Sequence, residues 1–228
     1  MDSRWARPWF ATTAACVVAG IVIQLFVTSN SATAFGGSPL NRSLNILAYF
    51  TIESNLLVGA VCLLLALNLD RTSPVFAFFR LTGLIGITVT FVVFHVAISH
   101  LLDLDTWAQA ANQLQHTVVP IMAVVGWLAF GPRALTSARI AKLTIAFPLL
   151  YMVFTVIRGP LSSDFYPYPF ADVKVLGYPR VAVNALWIAL LFLGVAAAAT
   201  VLDHRLPSAE SAPVEARPTR QAAGTTPD

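Results

Sequence analysis

The sequence predicts an all-α integral membrane protein whose fold is a bundle of six transmembrane helices. Of its 228 residues, 57% are hydrophobic and only 11% are charged, whereas soluble domains carry about 25% charged residues. The mean hydropathy is +0.73. Six apolar runs approach the length of about 20 residues that a helix needs to cross a bilayer. These observations exclude a soluble globular protein and a chain that is disordered throughout, and the 2 cysteines exclude a disulfide scaffold.

The predicted spans cover residues 9–27, 44–69, 79–102, 112–130, 140–157 and 181–202. The alternating pattern of barrel strands is absent, so the spans must be helices, which satisfy their backbone hydrogen bonds internally. We predict one six-helix transmembrane domain over residues 1–205. Residues 206–228 are rich in Ala, Pro, Ser and Thr, and this composition predicts a disordered cytoplasmic tail.

The distribution of Arg and Lys predicts the orientation. Ten of these residues flank the spans on the side that carries the termini, and four lie on the other side. Because cytoplasmic loops are enriched in Arg and Lys, we expect both termini in the cytoplasm of a multi-pass cell-membrane protein. The connection that contains Asp103 and Asp105 holds no basic residue, which is typical of an outer loop.

The first span has a second interpretation as a signal peptide. Arg4 and Arg7 would form its basic region, and Ala32-Thr33-Ala34 resembles a small-residue cleavage site. The apolar run is longer than a typical signal core, and the polar stretch 24–31 precedes the cleavage site. These features favour a retained first span.

Polar side chains inside the spans are the candidate functional residues, because each is costly in lipid unless it has a partner. By the charge argument they collect in the outer half of the bundle, while the inner half is nearly all apolar. This asymmetry predicts one outward-opening site. The candidates are Thr51, Asn55, His95, His100, His116 and Asn184, with Arg158 at the outer end of the fifth span.

The same argument places Thr51 and His116 at similar depths, about 10 Å and about 6 Å into their spans at 1.5 Å per residue. Pro120 removes a helical hydrogen bond to the His116 carbonyl, so we expect the fourth span to depart from a straight helix at the histidine.

Three stretches carry a family resemblance, and it covers most of residues 9–202. They are Tyr49-Phe50-Thr51-Ile52-Glu53-Ser54-Asn55-Leu56-Leu57, His116-Thr117-Val118-Val119-Pro120-Ile121, and Tyr166-Pro167-Tyr168-Pro169-Phe170 with Gly177-Tyr178 beyond it. With six spans, they resemble the bacterial six-pass relatives of the androgen-induced protein family, which includes the androgen-dependent tissue-factor-pathway-inhibitor-regulating protein.

The resemblance implies a threonine hydrolase. Eukaryotic members of that family cleave fatty acid esters of hydroxy fatty acids with a Thr and a His from the first two motifs, which correspond to Thr51 and His116. An adjacent base activates a weak hydroxyl nucleophile, so the pair is chemically reasonable. We expect a membrane lipid as substrate and no metal or other cofactor. Nucleic-acid binding has no support, because the basic residues form no stripe.

Supporting roles are assigned to the other outer polar residues. Arg158 is a candidate for holding a fatty acid carboxylate, and Asn55 or Asn184 for donating to the oxyanion. His95 and His100 are further supporting candidates. We expect the aromatic loop 158–179 to lie over the outer mouth of the site.

Two alternatives remain open from the sequence. Six spans with an outer polar cavity equally suit a non-enzymatic lipid-binding or transport protein. A haem or electron-transfer protein would use two of the intramembrane histidines His95, His100 and His116 as iron ligands.

Overall fold

The computed structural model describes residues 3–31, 38–162 and 165–206, and within these ranges it contains helices and no β-strand. Six helical segments are long and apolar enough to cross a membrane, and they are called the first to sixth spans below: Ala6–Asn30, Phe50–Leu67, Pro74–Leu101, Thr106–Phe130, Ala138–Leu161 and Val173–Arg205. The predicted all-α bundle of six membrane-spanning helices is therefore confirmed. The predicted tail and the Ala32-Thr33-Ala34 cleavage site lie outside the described residues, except for Leu206.

The third span is the centre of the bundle. It packs against the second, fourth, fifth and sixth spans. Ile85 and Ile87 at its middle are completely buried. By contrast, large apolar side chains on the outside of the other spans are exposed, as expected for helices that face lipid.

The second span begins later than predicted. The segment 44–69 is not one helix. Instead, a short helix Pro39–Asn45 and a 3₁₀ turn Ile46–Ala48 lead to Tyr49, whose backbone is extended (φ −91°, ψ 127°). The helix then starts at Phe50. Thr51 consequently lies in the first turn of the second span, and the predicted depth of about 10 Å into that span is wrong.

The third and fourth spans each contain a π-helical turn at the same end of the bundle. The third span is α-helical over Pro74–Val93, π-helical over Phe94–Ile98 and 3₁₀ over Ser99–Leu101. The fourth is α-helical over Thr106–Gln113, π-helical over Leu114–Val118 and α-helical again over Val119–Phe130. The predicted irregularity of the fourth span thus lies at His116, and π-turns in helices frequently mark functional sites.

The last two spans are also interrupted. The fifth consists of helices Ala138–Thr144 and Ala146–Leu161. A short 3₁₀ turn, Pro169–Ala171, follows, and then Val173–Arg205, which is broken at Gly177 (φ 74°, ψ 157°). A positive φ of this kind favours glycine, which has no Cβ to clash with the backbone. At this break the chain changes direction between the short segment that follows the loop and the long part of the sixth span.

Candidate active site

Thr51 and His116 are in hydrogen-bond contact at the end of the bundle that the charge argument assigns to the outside. The Thr51 Oγ1 atom lies 3.2 Å from His116 Nε2. Thr51 comes from the first turn of the second span, and His116 from the π-turn of the fourth. Thr51 is buried, with 5% of its surface exposed. The predicted proximity of these two side chains is confirmed, whereas their catalytic role stays a prediction.

The second ring nitrogen of His116 determines where the protons lie. His116 Nδ1 is 3.1 Å from the Asn112 carbonyl oxygen. A carbonyl only accepts, so Nδ1 carries the proton and Nε2 of the neutral ring is the acceptor. The Thr51 hydroxyl therefore donates to His116 Nε2. This is the arrangement that a general base needs before it takes a proton from a nucleophile.

The His116 ring is held on its face as well as at its edge. Phe94, the first residue of the π-turn in the third span, stacks on it with ring centroids 4.0 Å apart and an interplanar angle of 21°. The two π-turns are thus joined through these rings. The stacking and the Asn112 hydrogen bond together fix the ring with Nε2 directed at Thr51.

Tyr168 is a third member of the site. The sequence predicts it in the aromatic loop over the mouth of the site, but assigns it no contact with Thr51. Its hydroxyl oxygen lies 3.1 Å from Thr51 Oγ1 and 3.1 Å from the Thr51 backbone nitrogen. Because the Thr51 hydroxyl donates to His116, the Tyr168 hydroxyl must donate to Thr51 Oγ1, while it accepts from the Thr51 N–H. Burial raises the pKa of Tyr168 to about 12, so it remains a proton donor at physiological pH.

The aromatic loop positions Tyr168 by packing. The Tyr168 ring stacks on Phe170 at 5.1 Å and meets Tyr49 edge-on at 5.7 Å. Tyr166 occupies the space over Gly159, where an added Cβ would lie 2.2 Å from Tyr166 Cε1. The loop therefore covers the site, as predicted. The alternation of Tyr and Pro over residues 166–169 is the sequence feature that could have indicated a tyrosine held rigidly against the site, because proline restricts the backbone.

Asn55 supports the site in a different way from the one predicted. Its Nδ2 donates to the Thr51 carbonyl at 2.8 Å and to the Gln115 carbonyl at 3.2 Å. Both amide hydrogens are used, so none is left for an oxyanion. Asn55 instead ties the turn that carries Thr51 to the π-turn that carries His116. Asn184 likewise donates to the Phe170 carbonyl at 2.8 Å, and it holds the loop rather than serving as an oxyanion donor.

The remaining candidates lie outside the two cavities beside Thr51. His95 and His100 are exposed and line neither of the cavities beside Thr51. His95 Nε2 lies 3.3 Å from Thr117 Oγ1. Arg158 contacts the Asn45 side chain and lies 5.5 Å from the Phe165 ring centroid, also outside both cavities. The supporting roles predicted for these three residues stay predictions.

The haem interpretation, which requires two histidine ligands, stays an alternative. The Nε2 atoms of His95 and His116 are each engaged by a threonine hydroxyl. Across residues 3–31, 38–162 and 165–206, no group of three or more His, Cys, Asp or Glu side chains is placed to hold a metal ion.

Two cavities meet at the Thr51–His116 pair. The inner cavity, about 60 Å³, lies between the third, fifth and sixth spans. The outer cavity, about 460 Å³, lies among the first, second and fourth spans and reaches the connections at the outer end. Both are lined by the same five residues: Thr51, Phe94, Ile98, His116 and Tyr168. The threonine hydroxyl is thus reachable from two sides.

Comparison with protein-family models, curated proteins and solved structures finds no match to this chain. The family resemblance therefore depends on the three quoted stretches and on the number of spans. The geometry of the site is independent of that resemblance.

Proposed function

We propose that this protein is a membrane-embedded hydrolase of lipid esters, with fatty acid esters of hydroxy fatty acids as the substrate type that the family resemblance implies. Thr51 is the nucleophile and His116 is the general base. The observation that carries the proposal is the directed chain of hydrogen bonds from Tyr168 to Thr51, from Thr51 to His116 and from His116 to the Asn112 carbonyl.

In the first step, Thr51 Oγ1 attacks the ester carbonyl carbon while His116 Nε2 takes the hydroxyl proton. The tetrahedral intermediate collapses when the bond to the alcohol oxygen breaks, and His116 returns the proton to that oxygen. The products of this step are a free alcohol and an acyl group on Thr51.

In the second step, water attacks the acyl-threonine. His116 takes a proton from the water and gives it to Thr51 Oγ1 as the carboxylic acid leaves. The pair is thereby restored, and neither step requires a cofactor.

The negative charge that develops on the carbonyl oxygen has two candidate donors. They are the Thr51 N–H, which now donates to the Tyr168 hydroxyl oxygen, and the Tyr168 O–H, which lies beside Thr51 Oγ1. The carbonyl oxygen of a bound ester could replace the tyrosine oxygen as the acceptor of the N–H. Thr51 also lies in the first turn of a helix, where the helix dipole favours negative charge. Donors of this type each contribute about 10²–10³-fold in rate.

The test is hydrolysis by the purified protein in detergent micelles, with a fatty acid ester of a hydroxy fatty acid as the substrate. Thr51→Ala and His116→Ala are each expected to lower kcat by roughly 10³-fold or more, and the double variant by little more, because the two residues act as a unit. Thr51→Ser keeps the hydroxyl and should retain measurable activity.

Thr117→Ala is the matched control, because it removes the neighbouring hydroxyl, which contacts His95 and not His116. It should leave the rate near that of the native protein. Native protein that binds the ester without turning it over would instead support the lipid-binding alternative and contradict the hydrolase.

A further inference from the structure

The two cavities at Thr51 differ in size and in the polarity of their linings, and this difference suggests that each binds a different half of the ester. We propose that the inner cavity holds the acyl chain of the ester, that the outer cavity takes the alcohol portion and the hydrolytic water, and that Phe192 limits the length of the acyl chain. This inference rests on the proposed hydrolase function and adds the assignment of each half of the substrate.

The inner cavity suits the first carbons of a plain hydrocarbon chain, those next to the ester carbonyl, because its volume is about 60 Å³. Away from the catalytic group, its walls are mainly apolar: Phe50, Val89, Val93, Pro148, Met152, Ile188 and Phe192. The Tyr151 hydroxyl beside it is already used, since it donates to the Ala48 carbonyl at 3.0 Å. The Thr90 hydroxyl has no hydrogen-bond partner among the described residues and is the one further polar group in the lining.

The inner cavity ends deep in the bundle. The third span runs from the inner to the outer end, so Val89 is the deepest of its lining residues and lies about 7.5 Å below Phe94 at 1.5 Å per residue. The sixth span runs the other way, and Phe192 is the deepest residue that it contributes. Phe192 is completely buried. Its ring is therefore positioned to stop a chain that extends inward from Thr51.

The outer cavity suits the alcohol portion and water. It is larger, and its lining includes the polar side chains of Gln24, Thr28, Ser31, Asn112 and Gln115. It also reaches Ser31 and Leu104, which lie in connections outside the spans. Water can approach the site from this side without crossing the apolar interior.

The order of the two chemical steps decides which half lies where. The acyl group stays on Thr51 after the alcohol has left, and water must then reach the same carbonyl carbon. If the alcohol lies in the outer cavity, its departure opens the path by which water enters. The reverse placement would trap the alcohol behind the acyl-threonine in an apolar cavity and leave the acyl chain in the path of the water.

Two substitutions test the acyl site in opposite directions. Phe192→Leu lengthens the inner cavity, and Ile188→Phe fills it from a half-buried position in its lining. Each is assayed with one set of esters that differ only in acyl length and a second set that differ only in the alcohol. Phe192→Leu should raise kcat/KM for acyl chains longer than the native optimum by roughly 10-fold, and Ile188→Phe should shift the optimum to shorter chains.

Ala108→Phe narrows the outer cavity, which Ala108 lines. It should change the preference among alcohols and leave the acyl-length profile in place. Phe79→Leu is the matched control for Phe192→Leu, because Phe79 is 45% exposed on the third span and lines neither cavity.

The outcomes separate this assignment from the function on which it rests. If Phe192→Leu shifts the alcohol profile instead of the acyl profile, the assignment is reversed. If hydrolysis depends on Thr51 but neither Phe192→Leu nor Ile188→Phe moves the acyl profile, the inner cavity is not the acyl site. If the native protein shows no hydrolysis that depends on Thr51, the proposed function fails, and the assignment fails with it.

Discussion

Tyr168 is the residue whose role depends most on the fold. Its hydroxyl contacts both the side chain and the backbone nitrogen of Thr51. Among the described residues it is the one hydroxyl that donates to Thr51 Oγ1, which leaves the Thr51 hydroxyl to donate to His116. Its phenol is thus placed to act on the reacting atoms rather than only to cover them.

Tyr168→Phe removes this donor while keeping the ring that packs on Phe170 and Tyr49. We expect kcat for ester hydrolysis to fall by about 10²-fold with little change in KM, because an oxyanion donor acts mainly in the transition state. Steady-state kinetics measure both constants. Tyr166→Phe, in the same loop but over Gly159, serves as the control and should keep the native kcat. A rise in KM at unchanged kcat in Tyr168→Phe would instead indicate that the loop only covers the site.

The sequence identifies site residues that are polar within an apolar run, because burying them is costly. It does not identify residues whose place in the site depends on how a loop or a helical turn folds. Thr51 and His116 are polar residues in apolar runs, so both were found. Tyr168 lies in a loop, where a tyrosine carries no burial cost that would mark it as a site residue. His95 was expected near the site, but it is the neighbouring Phe94 that stacks on the His116 ring, at the start of a π-turn that hydropathy does not predict.

At the level of elements, the site depends on how two helical turns are tied together. Asn55 is fully buried and joins the first turn of the second span to the π-turn of the fourth through the carbonyls of Thr51 and Gln115. Gln115 in turn donates to the Gly20 carbonyl of the first span at 2.9 Å. These links set the distance between nucleophile and base without contacting the substrate.

Asn55→Leu should lower both stability and kcat, because it leaves the two carbonyls without their donor. The expected loss of stability is about 1–3 kcal/mol, measured as a lower thermal unfolding temperature in detergent. Ser54→Ala is the neighbouring control, since the buried Ser54 hydroxyl has no hydrogen-bond partner among the described residues. Equal losses in both variants would show that packing of this turn, and not the Asn55 link, is responsible.

The element boundaries could not all be derived from the sequence. Residues 44–69 form one apolar run, but the extended backbone at Tyr49 divides it. The Tyr49 ring packs against Phe165 at 6.2 Å and against Tyr168, both more than a hundred residues away. Hydropathy along the chain carries no information about such a contact. It is this break that places Thr51 in a first helical turn.

At the scale of the whole molecule, the class and the number of spans followed from composition and run length alone. Since six is an even number, Ala6 and Arg205 lie on the same side of a membrane that all six spans cross. The site, at the opposite end from these termini, then faces outward if the termini are cytoplasmic. The ten-to-four distribution of Arg and Lys predicts that they are.

Reporter fusions test this orientation. Fusions after Arg71 and after Arg133 should report a cytoplasmic location, and a fusion near Asp105 should report the outside. A cytoplasmic signal near Asp105 would place the Thr51–His116 site at the inner face and reverse the predicted topology.

Covalent labelling shows whether Thr51 is a nucleophile activated by His116. The purified protein is treated with a fluorophosphonate probe, which reacts with activated serine and threonine hydroxyls, and the modified residue is located by peptide mass spectrometry. We expect one modified position, Thr51, in the native protein, with labelling lost in Thr51→Ala and strongly reduced in His116→Ala, but retained in Thr117→Ala. Labelling at another hydroxyl, or unchanged labelling in folded Thr51→Ala, would contradict this role of Thr51.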